Sequence, residues 1–235
     1  MNQNQDLIIN INPKSLFSES VKSIRTNLQF SSVDKELKVI LNTSPEAGDG
    51  KSFISANLAI AYGQDGKKVL IIDCDLRRGR QHEIFNVMNT TNGGYSNLIL
   101  NYKDEIKLSR YIVKTEIKNV DLIPIGPTPP NPLELLSSKN NGELLAELRN
   151  YYDIIILDCP PVLGMSDTLV LTKHSDANLI VVSNGKTHME TLEKAKKQFE
   201  QANAKISGVI VNKANVKGSS YHSYYTNDYY TETTE

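Results

Sequence analysis

Residues 44–52 read SPEAGDGKS and join an apolar run, LKVILNTS (37–44), to a second apolar stretch of helical character, KSFISANLAIAYGQ (51–64). Glycines at 48 and 50 let the backbone curl until its N–H groups converge, and the following helix presents its positive end to the same point. An anion belongs there. Lys51 would reach the outer phosphates of a nucleotide, and the Ser52 hydroxyl would ligate Mg²⁺. Gly48-Asp49-Gly50-Lys51-Ser52 is therefore read as the phosphate-cradling end of a P-loop. Phe53 continues the helix and completes the expected ATP-binding set of Gly48, Asp49, Gly50, Lys51, Ser52 and Phe53, with ATP and Mg²⁺ as the ligand pair. The pattern departs at one place, because Pro45 stands where its first glycine would be.

Outward from the loop, five more runs have strand character: KKVLIIDCD (67–75), NVDLIPIG (119–126), YDIIILDCPP (152–161), DANLIVVS (176–183) and KISGVIVNK (205–213). Several are continuously apolar, which predicts strands covered on both faces. Helix-like stretches lie between them, among them PLELLSSKNNGELLAELRNY before the fourth strand and THMETLEKAKKQFEQANA before the last. This alternation predicts a parallel sheet with right-handed crossovers. The expected fold class is α/β, a three-layer P-loop NTPase fold with a mostly parallel central sheet and helices on both faces. One domain over 1–216 is expected, with an N-terminal helix at about 15–31 and a flexible tail over 217–235.

The bulk numbers exclude several classes. A net charge of −1 over 235 residues supplies no field for nucleic acid or an anionic membrane. No apolar run approaches the roughly 20 residues that span a bilayer. The opening MNQNQDLIININPKS lacks the basic-then-apolar order of a secretory signal. Cys74 and Cys159, each at a strand end, are expected to be reduced thiols in a cytosolic protein.

Two strands end in aspartate where open α/β sheets bind ligands. Asp158 is expected to hold Mg²⁺, directly or through water; the alternative is a turn cap before Pro160-Pro161. Asp73 and Asp75 are spaced i, i+2 and can face one side if the strand continues. One of them exceeds what a single Mg²⁺ requires and is free to accept a proton from an attacking hydroxyl. Arg77, Arg78 and Arg80 follow, either as a solvated basic turn or as a contact for a substrate or activator.

Both ends carry a pattern of their own. In SESVKSIRTNLQF (18–30) and the residue before it, Phe17, Val21, Ile24 and Leu28 share one helix face. Glu19 and Lys22 lie roughly opposite as an i, i+3 pair, with Arg25 at the margin. The chain closes on SSYHSYYTNDYYTETTE (219–235), where five of its eleven tyrosines fall in the last fifteen residues without one aliphatic side chain. Such a segment builds no core and can leave its own surface.

SPEAGDGKS, VLIIDCDLRR (69–78), GPTPPNPLELLSS (126–138), DIIILDCPP (153–161) and the tyrosine cluster, in that order, resemble the bacterial tyrosine kinases of capsule and exopolysaccharide synthesis. The resemblance runs from about residue 13 to the end. It implies transfer of the γ-phosphoryl of ATP to tyrosines, with Tyr221, Tyr224, Tyr225, Tyr229 and Tyr230 as acceptors. The chain has no HRD or DFG signature of the other kinase fold.

By position, the resemblance makes Lys51 and Ser52 Walker A, Asp73 and Asp75 Walker A′, and Asp158 Walker B. Lys51, Asp73, Asp75 and Asp158 are then catalytic, and Ser52, Asp75 and Asp158 hold hydrated Mg²⁺. Asp73 is implied as the base that activates the tyrosine, although spacing alone does not separate it from Asp75. The family's ring-forming helix motif matches Glu19 and Arg25, with Lys22 where an arginine is usual. Gly79 stands where proline is usual. Implied partners are a membrane adaptor whose cytoplasmic tail activates the kinase, a cognate tyrosine phosphatase, copies of itself in a ring, and sugar-nucleotide enzymes as substrates. Nucleic acid and direct membrane insertion are not implied. The expected location is cytoplasmic, at the inner face of the membrane through the adaptor.

Two rival readings belong to other classes. A partitioning or septum-placing ATPase carries an extra lysine early in the loop, where this chain has Glu46, and no basic amphipathic helix closes the chain. An ATP-binding assembly scaffold without kinase activity is opposed by the intact Lys51, Ser52, Asp73 and Asp158.

Overall fold

The computed structural model describes residues 5–31, 36–90, 93–102 and 107–214. The five tail tyrosines and the expected boundary at 216/217 lie outside the described residues. In chain order the elements are α1 (Ile8–Ile11), α2 (Leu16–Ser31), β1 (Val39–Thr43), α3 (Lys51–Gln64), β2 (Val69–Asp73), α4 (Gln81–Ile84), α5 (Gly94–Leu100) and β3 (Val113–Lys114). There follow β4 (Val120–Ile123), α6 (Pro132–Ser137), α7 (Lys139–Leu148), β5 (Ile154–Asp158), α8 (Asp167–Leu171), β6 (Ala177–Ser183), α9 (Met189–Gln201) and β7 (Gly208–Asn212).

The strands form one sheet in the order β3-β4-β2-β5-β1-β6-β7. Neighbours are parallel throughout except β3, which runs antiparallel to β4. Alternation along each strand sorts the apolar side chains to two faces. Ile40, Val69, Ile71, Ile154 and Ile156 meet Val21, Leu28, Ile54 and Leu58 on one side. Val39, Leu41, Leu70, Ile72, Ile155 and Leu157 meet Tyr95, Leu98, Leu136, Leu144 and Leu148 on the other. Ala195 and Phe199 of α9 close over Ile180 and Val182. The result is the expected three-layer α/β architecture.

Helix α3 is buried on nearly every side, from Ser52 through Ile54 to Gly63. A helix without a polar face needs cover above as well as below. Helices α1 and α2 supply it. Val21 and Leu28 are buried, Phe17 and Ile24 pack beside them, and the Phe17 and Phe53 rings lie 5.0 Å apart. Asn57 of α3 accepts from Ile9 N at 3.1 Å and donates to Asp6 O at 2.8 Å. The N-terminal helix is thus part of the core.

The same packing fixes the polar residues of α2. Arg25 Nη1 donates to Ala61 O at 2.8 Å and lies 3.4 Å from Asp65. Lys22 Nζ reaches Glu19 Oε1 at 2.7 Å and Pro13 O at 2.9 Å.

Two other features differ from the sequence expectation. The long helical stretch from Pro132 is divided at Ser138, whose backbone is extended and whose Oγ caps α7 by accepting from Asn141 N. Serine's competing local hydrogen bond breaks the helix there. Strand β3 is new, because two residues are too few to carry a period. At the far edge, β7 leaves Val209 and Val211 exposed, as an uncovered edge allows.

Truncating the face that α2 turns to α3 should therefore unfold the domain. Leu28→Ala is expected to cost about 2–4 kcal/mol in urea unfolding. Glu19→Ala, on the exposed side, should stay within about 0.5 kcal/mol.

Candidate active site

Strand register brings the site together. Asn42 of β1 is level with Asp158 of β5, and Asp158 is level with Asp73 of β2. All three therefore stand in one row at the carboxyl ends of adjacent parallel strands, on the face that α3 covers. Asn42 Nδ2 donates to Lys51 O at 2.9 Å and to Ser55 Oγ at 2.7 Å, tying this row to the start of the helix.

The loop from β1 to α3 has the geometry its glycines predict. Gly48 and Gly50 have φ of 86° and 97°, in the left-handed region. A Cβ on Gly50 would sit 2.1 Å from Asn212 Nδ2. No side chain caps the N-terminus of α3, so its first N–H groups and positive end are available to phosphate oxygens.

Residues that the sequence reading passed over brace this loop. Asn212 Nδ2 donates to Asp49 O and Lys213 Nζ to Gly48 O, both at 2.9 Å. Lys186 Nζ donates to Ala47 O at 2.6 Å, and Thr187 Oγ1 to Asp49 Oδ1 at 3.0 Å. Lys186 and Thr187 follow β6, Asn212 ends β7 and Lys213 follows it, all at the same end of the sheet as the P-loop. That position was the available signal.

Lys51 is the centre of the charge cluster. Its Nζ lies 3.3 Å from Asp75 Oδ2, 3.8 Å from Asp158 Oδ1 and 3.1 Å from Ser52 Oγ. Burial opposes its charge, but Asp158, Asp75 and Asp73 outweigh that and hold it above the usual lysine range. Asp158 is fully buried, accepting from Ser55 Oγ at 3.1 Å and Gln81 Nε2 at 2.8 Å. These bonds come from other elements and not from the turn at Pro160-Pro161.

Asp73 accepts from Gln81 N at 2.9 Å and Asp75 N at 3.3 Å. Burial and then Asp158 push its carboxyl well above the usual range, against the opposing pull of the Gln81 N–H and Lys51.

Lys51, Ser52, Phe53 and Asp75 line a cavity of about 510 Å³, with Arg77, Arg78 and Arg80 on its rim. Asp73 and Asp158 lie beneath that lining. A larger cavity of about 630 Å³ opens beside Lys68, Ile112, Tyr151 and Tyr152 and holds none of the expected residues. Glu19, Lys22 and Arg25 lie apart from the cluster, on α2.

The donor set suits a nucleotide with a hydrated cation. Among the described residues no three His, Cys, Asp or Glu side chains form a metal cage. Mg²⁺ at a nucleotide needs only one or two carboxylates besides phosphate oxygens. Ser52, Asp75 and Asp158 converge on one ammonium and can supply that set. Asn42 Oδ1 and Gln81 Oε1, on residues flanking Asp158, are buried acceptors with no partner among the described residues, suited to the waters of a cation's shell.

The buried carboxyl of Asp73 makes a stability test. A group whose pKa rises on folding favours the fold below its unfolded value, here 3.8, and that contribution is lost as pH climbs through the folded value. Asp73→Asn removes the ionisation. It should be more stable than wild type in denaturant titrations at about pH 8, with the gain shrinking towards about pH 4. A wild type as stable as the variant at the higher pH would contradict the burial cost.

Residues 37–212 match a family model described as an AAA domain. Tyrosine-protein kinase YwqD of Bacillus subtilis is 39% identical over 221 residues, covering 94% of this chain and 91% of that protein. Tyrosine-protein kinase wzc of Salmonella typhimurium is 35% identical over 213 residues, 91% of this chain but 29% of that longer protein. The solved structure of the chimerical protein CapA2B2 has 38% identity and a TM-score of 0.82 over 88% of each chain. The clustering of Lys51 with Asp73, Asp75 and Asp158 accords with these likenesses, which run along nearly the whole length of the chain and mean that it belongs to the bacterial tyrosine-protein kinases.

Proposed function

We propose that the protein is an ATP-dependent tyrosine kinase that phosphorylates its own C-terminal tyrosines and thereby regulates capsular or exopolysaccharide synthesis and export. The observation that carries this reading is the cluster of Lys51 with Ser52, Asp75 and Asp158, backed by a further carboxylate at Asp73. A plain nucleotide hydrolase needs fewer acids than this, whereas a transferase needs a separate acceptor for the hydroxyl proton.

ATP, bound with Mg²⁺, supplies the γ-phosphoryl group. Lys51 sets a fixed positive charge where charge accumulates during transfer, in a site largely shielded from water. Ser52, Asp75 and Asp158 would hold the metal. Asp75 faces the Lys51 ammonium across 3.3 Å and belongs to the metal side of the cluster. Burial and its neighbour Asp158 raise the proton affinity of Asp73, which takes the tyrosine proton. The Leu76–Gln81 turn lies over Asp73, so the acceptor reaches it as that turn gives way.

The tail tyrosines Tyr221, Tyr224, Tyr225, Tyr229 and Tyr230 are the acceptors, offered to a neighbouring copy. Glu19, Lys22 and Arg25 hold those copies in a ring. Five phosphotyrosines would add on the order of −8 to −10 charges per subunit and drive the ring apart. Among the described residues no helix is long and apolar enough to cross a membrane. A membrane adaptor supplies the activating cytoplasmic segment and brings the kinase to the inner face of the membrane. A tyrosine phosphatase reverses the reaction, and sugar-nucleotide enzymes are further substrates.

Phosphopeptide mass spectrometry with Mg-ATP tests the assignment. Lys51→Met should lower tail phosphotyrosine by at least about 100-fold. Asp73→Asn should lose transfer while nucleotide affinity stays within a few-fold, whereas Asp75→Asn should also weaken Mg²⁺-dependent nucleotide binding. Tail labelling that survives Lys51→Met removes the P-loop from the chemistry. Solution mass tests the ring: Lys51→Met protein should be several-fold heavier than phosphorylated wild type, and Glu19→Ala should make it monomeric. Equal masses for the inactive and phosphorylated proteins would leave the tail a substrate without a switch.

A further inference from the structure

Three arginines stand on the rim of the nucleotide cavity, and phosphoryl transfer as derived above uses none of them. Two are engaged. Arg77 Nε donates to Asp167 Oδ2 at 3.0 Å, and Arg80 lies 3.5 Å from Glu83 and 4.0 Å from Asp6. Arg78 is exposed, and among the described residues no carboxylate forms an ion pair with it. Its backbone is nevertheless fixed. Arg78 N donates to Asp75 Oδ1 at 3.0 Å, and Gly79 N donates to Asp75 O at 2.7 Å. Asp75 is the nearer of the two carboxylates that pair with Lys51. A free guanidinium is therefore anchored to the same residue that stands at the phosphate end of the site.

A guanidinium takes a carboxylate or phosphate through two parallel N–H bonds, which a single tyrosine hydroxyl does not offer. The tail supplies such groups next to its tyrosines. Asp228 immediately precedes the pair Tyr229-Tyr230, and Glu232 follows it by two. The pair Tyr224-Tyr225 and the single Tyr221 have no acid so close. Neighbours along an extended chain are about 3.4 Å apart per residue, within reach of a long side chain on the cavity rim. A tyrosine already phosphorylated carries roughly −1.5 to −2 charges, more than a carboxylate.

We propose that Arg78 is a specificity-determining residue that binds the acidic or phosphorylated residue flanking the acceptor tyrosine. It rests on the tail being the substrate. Phosphorylation then begins at the acid-flanked pair Tyr229-Tyr230. Each phosphate becomes the recognition group for a tyrosine nearby, and modification moves towards Tyr221. Arg77 and Arg80, held by carboxylates of their own, shape the rim without reading the substrate.

The test uses the full-length kinase and three synthetic peptides of residues 226–235. One has the natural sequence, one carries Asp228→Asn with Glu232→Gln, and one bears phosphate on Tyr230. For wild type, KM should fall from the peptide without the flanking acids to the natural one to the phosphorylated one, by about tenfold or more across the series. Arg78→Gln should bring all three to the KM of the peptide without the flanking acids, and Arg78→Lys should keep the order over a narrower span. In a time course on the full chain, Tyr229 and Tyr230 should be modified before Tyr221, and Arg78→Gln should erase that order. Equal KM values in wild type, or a preference that survives Arg78→Gln, would overturn the role of Arg78 and leave the tail a substrate. No transfer to any peptide, with label only on tyrosines outside the tail, would overturn both.

Discussion

Everything at this site depends on one ammonium set among three carboxylates. Asp73, Asp75 and Asp158 are all nearly or fully buried, and three like charges in a low-dielectric pocket repel strongly. Lys51 offsets part of that repulsion from the helix side, and Gln81 bridges Asp73 and Asp158 through its backbone and side chain. The remaining cost stays with Asp73, whose raised proton affinity is the residue of the imbalance. A buried acid without a full complement of partners destabilises a fold, and in the proposed mechanism that same acid is the proton acceptor.

The fold concentrates this charge by geometry. Parallel pairing puts Asn42, Asp158 and Asp73 level, so a register shift of one residue would turn each of them to the opposite face. Register is in turn held by the continuous apolar strands and by α3, which presses on them from the site's side. Helix α3 is itself pinned from above by α2. The N-terminal helix therefore reaches the chemistry by packing: Phe17 lies on Phe53, one residue beyond Ser52. Arg25 lies at the opposite end of the helix, bonded to Ala61 O. A partner that moved α2 would act on the P-loop through the length of α3.

The strands and the P-loop were legible because each rests on a local pattern. Continuous apolar runs ending in aspartate can only be covered strands with polar ends, and Gly-Asp-Gly-Lys-Ser between strand and helix has few other uses. The braces were not legible. Lys186, Thr187, Asn212 and Lys213 lie more than a hundred residues from the loop they hold, and none has a neighbour pattern of its own. Gln81 was hidden for the same reason: its bridge between Ser52 and Asp158 exists only once three strands are aligned. The division at Ser138 escaped because SSKNN is compatible with a continuous helix until Ser138 caps the next one. That Asp73 lies beneath the turn while Asp75 faces Lys51 needed the third dimension, since their i, i+2 spacing is silent on it.

That turn depends on the absence of one carbon atom. A Cβ on Gly79 would stand 2.3 Å from Asp73 Oδ1 and 2.2 Å from Ile125 Cγ2, so only glycine lets the backbone close over the carboxylate in this way. Closure does three things at once. It brings Gln81 N to Asp73, it carries the Gln81 amide to Asp158, and it ties Arg78 and Gly79 to Asp75. Any bulkier residue at 79 would have to lift the turn, loosening the cover on Asp73, the bridge between the acids and the seat of Arg78 together. The proposed proton acceptor and the group proposed to read its substrate are thus two ends of one short segment. Whatever moved that segment to uncover Asp73 would also move Arg78, so the two proposed roles, recognition of the flanking residue and proton acceptance, are coupled through one turn.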